Sequence, residues 1–379
     1  MKKFPLFSAA LLAVTLPAFA QEEPAVLKSE KANIRVEVIA SGLQNPWGLT
    51  FLPDGRALVT ERPGRLRIVG KDNKLSEPVS GVPEVAAVGQ GGLLDVALSP
   101  DFAKDNLVFL SFAEPRGAGG SSTSVARGKF VEKDGKASLE DVKVIFRQEP
   151  ARLGGFHFGS RLVFARDGNL FVTTGERNLK SPSQDLSNHI GKILRIAPDG
   201  SVPKDNPFVN DKNAKPEIWS YGHRNVQGAA LHPQSGKLWL TEHGPRGGDE
   251  INIPLAGKNY GWPVIGYGVD YSGAKMHEGT HKEGMEQPAH QWTPSIGPSG
   301  AMFYTGDLFP EWKGNLFTGS LVFSSLYRIE LNGEKIVKEE PLLESLGDRI
   351  RDVRQAADGS IWLLTDARNG KVLRLTPAK

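Results

Sequence analysis

The chain has 379 residues, among them 43 glycines, 26 prolines and no cysteine. Gly and Pro make up roughly 18 % of it, against about 12 % in average usage, and they lie between apolar runs along the whole length, which argues against an all-helical bundle or a coiled coil. The missing cysteines exclude disulfides, thiolate metal sites and a Cys nucleophile. Forty-six basic residues against 43 acidic ones give a formal net charge of +3, with no basic run of the kind that tracks phosphates, so no nucleic-acid partner is expected.

At the N-terminus Lys2 and Lys3 precede an apolar stretch from Leu6 to Leu16, and Ala18-Phe19-Ala20 follows as a small-x-small cleavage signal. That stretch is shorter than the about 20 apolar residues needed to span a bilayer. Residues 1–20 are therefore read as an export signal, and losing its two lysines brings the net charge to about +1. Residues 21–32 (QEEPAVLKSEKA) are read as a flexible polar leader and residues 33–379 as a single domain. No other stretch approaches membrane length, so no membrane span is expected.

Six times along that domain a tight-turn pair leads into an alternating apolar strand. The pairs are Asp54-Gly55, Asp105-Asn106, Asp167-Gly168, Ser235-Gly236, Lys313-Gly314 and Asp358-Gly359. Gly accepts positive φ without a clash, and the residues that follow have the β-branched and aromatic enrichment of strands. Second strands follow at GRLRIV (64–69), GKILRI (191–196), LYRIEL (326–331) and GKVLRL (370–375). Six such units describe an all-β, six-bladed β-propeller with four-stranded antiparallel blades, with a pair of β-sandwiches as the alternative. Ile34–Ile39 (IRVEVI) precedes the first unit and is placed to close the ring against the last. Residues 257–300, rich in Gly, Pro, His and Trp, read as a long irregular insertion, the kind of segment that carries function on a rigid scaffold.

Four segments carry chemistry. Gly89-Gln90-Gly91-Gly92 lacks the Lys-Ser/Thr of a phosphate loop and reads as a tight turn, either structural or presenting Gln90 at a rim. His157, in FHFGSR, is a candidate general base, with a structural histidine as the alternative and Glu176 as the residue to orient it. His223 and His243 hint at a metal without zinc spacing, whereas the carbonyls of Gly244 and Pro245 with Asp249 and Glu250 suit a hard cation. Arg349 and Arg351 share parity on a strand and need neutralising partners, which Asp348 and Asp352, on the opposite parity, supply only with a bend. A carboxylate-bearing ligand would serve; a solvated surface strand is the alternative.

With these segments, and with EHGPRGGDEINIP, GKNYGWP, GQGGLLDVALSPDF and YGHRNVQG in order along nearly the whole domain, the sequence resembles the soluble PQQ-dependent sugar dehydrogenases, most closely the periplasmic aldose sugar dehydrogenase branch. The resemblance implies a six-bladed propeller in the periplasm that binds pyrroloquinoline quinone (PQQ) and calcium at its channel mouth and oxidises aldoses to lactones. Position by position, it makes His157 the base and Glu176 its acidic partner. Gln90, Arg224 and Asn225 become quinone contacts, with Arg224 near the reacting atoms, and Arg349 and Arg351 hold the cofactor carboxylates. The Gly244 and Pro245 carbonyls become ligands of the cofactor-bound calcium, and Asp249, Glu250 and Tyr260 those of a further calcium. It also implies an external electron acceptor and a monomer or homodimer.

Three positions depart from that pattern. Val322 stands where relatives usually have a cofactor-contacting Lys, Ser160 replaces a Gly, and Phe156 replaces an acid before the histidine. Two other readings compete: a calcium-dependent lactonase, which has no use for Arg349 and Arg351, and a propeller that binds sugars or protein partners without catalysis.

Overall fold

The computed structural model describes residues 24–378, so the expected export signal lies outside the described residues. Six antiparallel sheets follow one another around a ring, one for each turn pair in the sequence. In every blade the turn pair joins the innermost strand to the second. Its second residue takes positive φ, from Gly55 (89°) through Gly359 (83°), with Asn106 (53°) in the one blade that lacks Gly there. No helix among the described residues is long and apolar enough to cross a membrane.

The innermost strands are Pro46–Phe51, Leu93–Leu98, Gly159–Phe164, Val226–Leu231, Pro298–Phe303 and Ile350–Gln355. Blades 2 to 5 have four strands each. Blade 1 has three, with a bridge from Val69 to Leu75 beyond its third strand. Blade 6 has five, because the chain start adds to it: Asn33–Leu43 pairs with Gly370–Pro377, from Ile34 opposite Pro377 to Leu43 opposite Gly370. The ring is thus closed by the segment expected to close it, and Ile34 and Val36 are buried among apolar residues of blades 5 and 6. The leader differs from expectation. Ala25–Lys28 is not a free tail but an edge strand on Asn33–Leu43, because Ala25 and Leu27 alternate inward onto the same core.

Each innermost strand carries a register shift near its third residue. A hydroxyl on the second strand accepts the N–H freed there and bonds across to the next blade. Gly48 N–H donates to Thr60 Oγ1 (2.9 Å), which donates to the Leu94 carbonyl. Asp95 N–H donates to Ser111 Oγ (2.9 Å), which reaches the Ser160 carbonyl (2.6 Å). Arg161 N–H donates to Thr173 Oγ1 (2.9 Å), which reaches the Val226 carbonyl (3.4 Å). Thr241 Oγ1 to the Ser299 carbonyl (2.9 Å) and Ser299 Oγ to the Ile350 carbonyl (2.6 Å) continue the circuit, and Leu49 N–H to Asp352 Oδ2 (3.0 Å) completes it.

The third residues themselves fill the channel: Gly48, Asp95, Arg161, Gly228, Gly300 and Asp352. Arg161 Nη1 lies 3.1 Å from both Asp95 Oδ1 and Asp352 Oδ1, and Arg354 reaches the same two carboxylates at 3.4 and 3.3 Å. Two cations and two anions balance here, with Asp95, Arg161 and Asp352 buried, where an unpaired charge is costly. Glycine makes the room: a Cβ on Gly48 would lie 2.7 Å from Asp95 Oδ1, and one on Gly300 would collide with Asp352. Asp95→Ala is expected to lower stability by about 3–5 kcal/mol, the cost of breaking a buried pair from one side. Gly300→Ala is expected to destabilise as well; chemical denaturation midpoints equal to wild type would show that the cluster carries no stability.

Candidate active site

Above this plug the first two residues of the same strands open into a cavity of about 920 Å³, within the size of small-molecule sites. Trp47, Leu94, Gly159, Gln227 and Arg351 come from the strands, and Gln90, Gly244, Pro245 and Tyr271 from loops above them. Plug and cavity share groups: Arg161 stacks 4.0 Å over the Trp47 ring and donates to the carbonyls of Gln227 (2.6 Å) and Arg351 (3.3 Å).

His157 is buried at the start of blade 3 with φ at 52°. Its Nδ1 bonds Glu176 Oε1, and its N–H donates to Gln90 Oε1 at 2.9 Å. Glu176 is itself held by the Lys180 N–H at 2.5 Å. The Nδ1 bond leaves the Nε2 lone pair as the basic atom. His157 is not itself in the cavity wall; its neighbours Phe158 and Gly159 and its partner Gln90 are. Burial holds the imidazole below its ordinary value, and the charge of Arg224 adds to this, while the Glu176 bond works the other way. Burial would raise the Glu176 carboxyl, but His157, the Lys180 amide and Arg224 bring it below the usual range. Arg177 staples this loop: it donates to the carbonyls of Gly154 (2.6 Å), Phe156 (3.0 Å) and Ser121 (3.0 Å) and stacks 3.8 Å over Phe158.

Arg349 and Arg351 do face the cavity together. Their neutralising partner is Asp366, at 2.9 and 3.2 Å, rather than a neighbour on their own strand. Asp352 belongs to the channel plug, and Asp348 pairs with Lys371 at 3.5 Å. Arg351 Nη1 also donates to Gln227 Oε1 (3.0 Å), yet its buried Nε has no partner. Arg62, in the same wall, also has a buried Nε without a partner. Asp366, Arg62 and Gln227 escape the sequence reading. A signal for the acid existed: Glu61, Glu242 and Asp366 each follow a threonine at the end of a second strand (ALVTE, LWLTE, IWLLTD), and Glu176 does so one residue later.

Asn225 Oδ1 accepts from the Gly159 N–H (3.2 Å), and Arg224 is fastened by its N–H to Glu242 and by Nη1 to the His243 carbonyl (3.2 Å). Arg224 borders a small second pocket, lined also by Glu242, Glu250, Tyr260 and Trp262, with the Gly244–Pro245 turn as the wall shared with the large cavity. Burial, with the neighbouring Glu242 and Asp249 carboxylates, pushes Glu250 up to about 8, opposed by a bond from Asn252 Nδ2 (2.9 Å). The expected cation set is divided. Asp249 and Glu250 are consecutive on a strand and point to opposite faces. Asp249 lines the large cavity, and its oxygens accept from Gly244 N–H (2.8 Å), Ser295 Oγ (3.0 Å) and Gly297 N–H (2.7 Å). The Tyr260 hydroxyl is occupied by the Ile253 carbonyl (2.5 Å) and the Leu255 N–H (3.0 Å).

Of the two other candidate histidines, His223 is buried away from the large cavity, whereas His243 lines both pockets. His223 bridges Glu242 (3.0 Å) and Ser220 Oγ (2.9 Å), and His243 Nε2 donates to the Pro298 carbonyl (2.7 Å), with burial pushing its imidazole down to about 3.

A buried base, a cation-rich wall and an acidic side pocket around one channel mouth define an enzyme of the propeller class. Residues 43–374 match the family model described as Glucose / Sorbosone dehydrogenase, and the chain belongs to that family. It is 46 % identical over 349 residues to aldose sugar dehydrogenase YliI of Escherichia coli K12, covering 91 % of this chain and 94 % of that one. A crystal structure of a glucose dehydrogenase is similar at 50 % identity and a TM-score of 0.88, over 91 % of this chain and 99 % of that one. The PQQ-bound aldose sugar dehydrogenase of Streptomyces coelicolor is similar at 32 % identity and a TM-score of 0.75, over 91 % and 98 %.

His157 is expected to titrate below 6.5 when followed by NMR. Glu176→Gln, which removes the charge that favours the imidazolium, is expected to lower the value further. An upward shift would contradict this assignment of the pair.

Proposed function

We propose that this chain is a periplasmic aldose dehydrogenase that takes PQQ and calcium and oxidises the anomeric C1 hydroxyl of aldoses to lactones. The observation that carries the reading is the wall in which Arg349 and Arg351 share the single carboxylate of Asp366 while the buried Arg351 Nε lacks a partner. Burial weighs against the Arg351 charge, so the wall is short of negative charge and suits a ligand that brings its own carboxylates. PQQ, when bound, supplies a two-electron hydride acceptor whose carbonyl a calcium ion polarises.

The protein's part is binding, orientation and one proton. Arg349 and Arg351 hold the cofactor carboxylates. Gln90, Arg224 and Asn225 stand around its reacting end, with Gln90 also fixing the His157 backbone. His157 Nε2 takes the proton of the C1 hydroxyl as the C1 hydride leaves, and Glu176 stabilises the imidazolium so formed. A base held below its ordinary value is neutral, and ready to accept, throughout the neutral range.

For calcium, Gly244 and Pro245 line both the large cavity and the second pocket from their turn. Among the described residues no N–H or O–H donates to the Gly244 carbonyl, and Pro245 receives only a long bond from Ser295 Oγ (3.4 Å). Glu250 and the Tyr260 backbone carbonyl suit a second calcium, since a cation would relieve the crowding that raises Glu250. Asp249 takes the part of a strut that holds the 244–249 turn against Gly297. The export signal read at residues 1–20 supports a periplasmic setting.

Adding PQQ and calcium to the apo-protein is expected to give dye-linked oxidation of aldoses, with an acid limb below pH 6.5 as His157 protonates. His157→Ala should lower kcat by about 10²–10⁴-fold. No oxidation, or equal rates for variant and wild type, would sink the reading. Lactone hydrolysis without quinone would replace it with a lactonase, and unchanged PQQ absorbance on titration with a propeller that only binds sugars or partners. Calcium is expected to raise the melting temperature of wild type and to lose most of that effect in Glu250→Gln; equal shifts would remove Glu250 from the calcium site.

A further inference from the structure

We propose that Arg62 is a third guanidinium of the cofactor-carboxylate site, supplying the positive charge that position 322 lacks. The inference rests on the proposed reading of the cavity as a PQQ site and adds to it a residue that the resemblance does not assign.

Arg62 follows the second strand of blade 1, directly after Glu61, and its side chain lines the large cavity together with Arg349, Arg351 and Asp366. Glu61 does not neutralise it, because that carboxylate is taken by Arg65 (2.7 Å) and Arg67 (3.4 Å). Arg62 Nη2 donates to the Gly89 carbonyl, beside Gln90, while its Nε is buried with no partner. Asp366 is the acid whose charge reaches it, and Asp366 is already shared by Arg349 and Arg351. Three guanidiniums of blades 1 and 6 therefore stand around one carboxylate, and Arg246 adds a fourth to the wall from the 244–249 loop. The other acid in the cavity wall, Asp249, has its oxygens engaged by three donors of the opposite loop.

The strain of this arrangement is electrostatic. Burial presses against the charged form of Arg62, and Arg62 in turn acts against Arg351. Among the described residues Asp366 alone stands against these three charges, whereas a planar polycarboxylate would offset them. Val322 lines the same cavity with an uncharged, exposed side chain (58 %), so the charge expected there must come from another element. Among the described residues Arg62 and Arg246 are the guanidiniums of the wall without an ion-pair partner; Arg246 is exposed, whereas Arg62 stands beside Asp366 with a buried, unpaired Nε.

The test is a titration of apo wild type, Arg62→Gln and Arg62→Lys with PQQ in the presence of calcium, followed by cofactor absorbance. It is repeated with trimesate, a planar tricarboxylate without a quinone, followed by calorimetry. Melting curves confirm that each variant is folded. Arg62→Gln is expected to weaken both ligands by roughly 10- to 100-fold, the value of one or two charge-assisted bonds. Arg62→Lys is expected to fall between, keeping the charge without the planar fork. Added salt should weaken wild type and Arg62→Lys more steeply than Arg62→Gln, a difference that a purely structural arginine would not produce. Equal affinities and equal salt slopes in wild type and Arg62→Gln overturn the proposal and leave the function standing. Trimesate binding that depends on Arg62, without any PQQ binding, upholds the anion wall and removes the dehydrogenase reading. Wild type binding neither ligand overturns both.

Discussion

The structure turns on a balance of charge in the channel. Arg161 and Arg354 lie between Asp95 and Asp352, and these four residues come from the innermost strands of blades 2, 3 and 6. Blades 1 and 4 join through the Leu49 amide on Asp352 and the Gln227 carbonyl on Arg161. This chain has no cysteine, and a propeller has no continuous core across its axis, so its innermost strands are tied by something other than disulfides or packing. Here paired charges do this, with the hydroxyl bridges passing from blade to blade around them. Glycines at 48 and 300 are required because the carboxylates occupy the space where their side chains would stand.

The same strands serve two opposite purposes one residue apart. Their third residues close the channel with charges that cancel. Their second residues, Trp47, Leu94, Gln227 and Arg351 among them, face a cavity whose charges do not cancel. In the plug every charge has an opposite charge within 3.4 Å, whereas in the wall above it three arginines stand near the one carboxylate of Asp366. The proposed binding wall is thus where the protein's own charges are least balanced, and the plug where they are most balanced. The register shift near the third residue allows this, since it turns neighbouring side chains of one short strand toward different surroundings.

The chemistry follows a second repeated feature, an acid at or just past the end of a second strand. Glu61 holds Arg65 and Arg67, Glu176 holds His157, Glu242 holds His223 and the Arg224 amide, and Asp366 holds Arg349 and Arg351. One structural device at the channel mouth holds the candidate base His157 in blade 3, anchors the chain before a candidate cofactor contact in blade 4, and pairs with the arginines in blade 6. The irregular segment 257–300 adds Tyr271, Thr293 and Ser295 to the rim. Contrary to the expectation from sequence, not all of it is irregular: His290–Trp292 is the fourth strand of blade 4, and Pro298 begins the innermost strand of blade 5.

Much of this was legible in the chain. Turn pairs with a residue suited to positive φ set the number of blades, and the alternation of IRVEVI marked it as a strand in search of an edge, because these signals are local. His157 with Glu176, and the common direction of Arg349 and Arg351, were readable for the same reason. What neighbours what across blades was decided only by the closed ring. Asp366 became the partner of both arginines because an antiparallel strand returns it beside them, and Arg62 entered the same wall because blade 1 closes against blade 6. Asp249 parted from Glu250 because the pleat sends consecutive side chains to opposite faces, each into a different cavity. Ala25–Lys28 gained order from a core that does not exist until the last strand is in place. Sequence alone determines elements whose causes lie within a few residues; charge partners brought together from different blades depend on the tertiary fold.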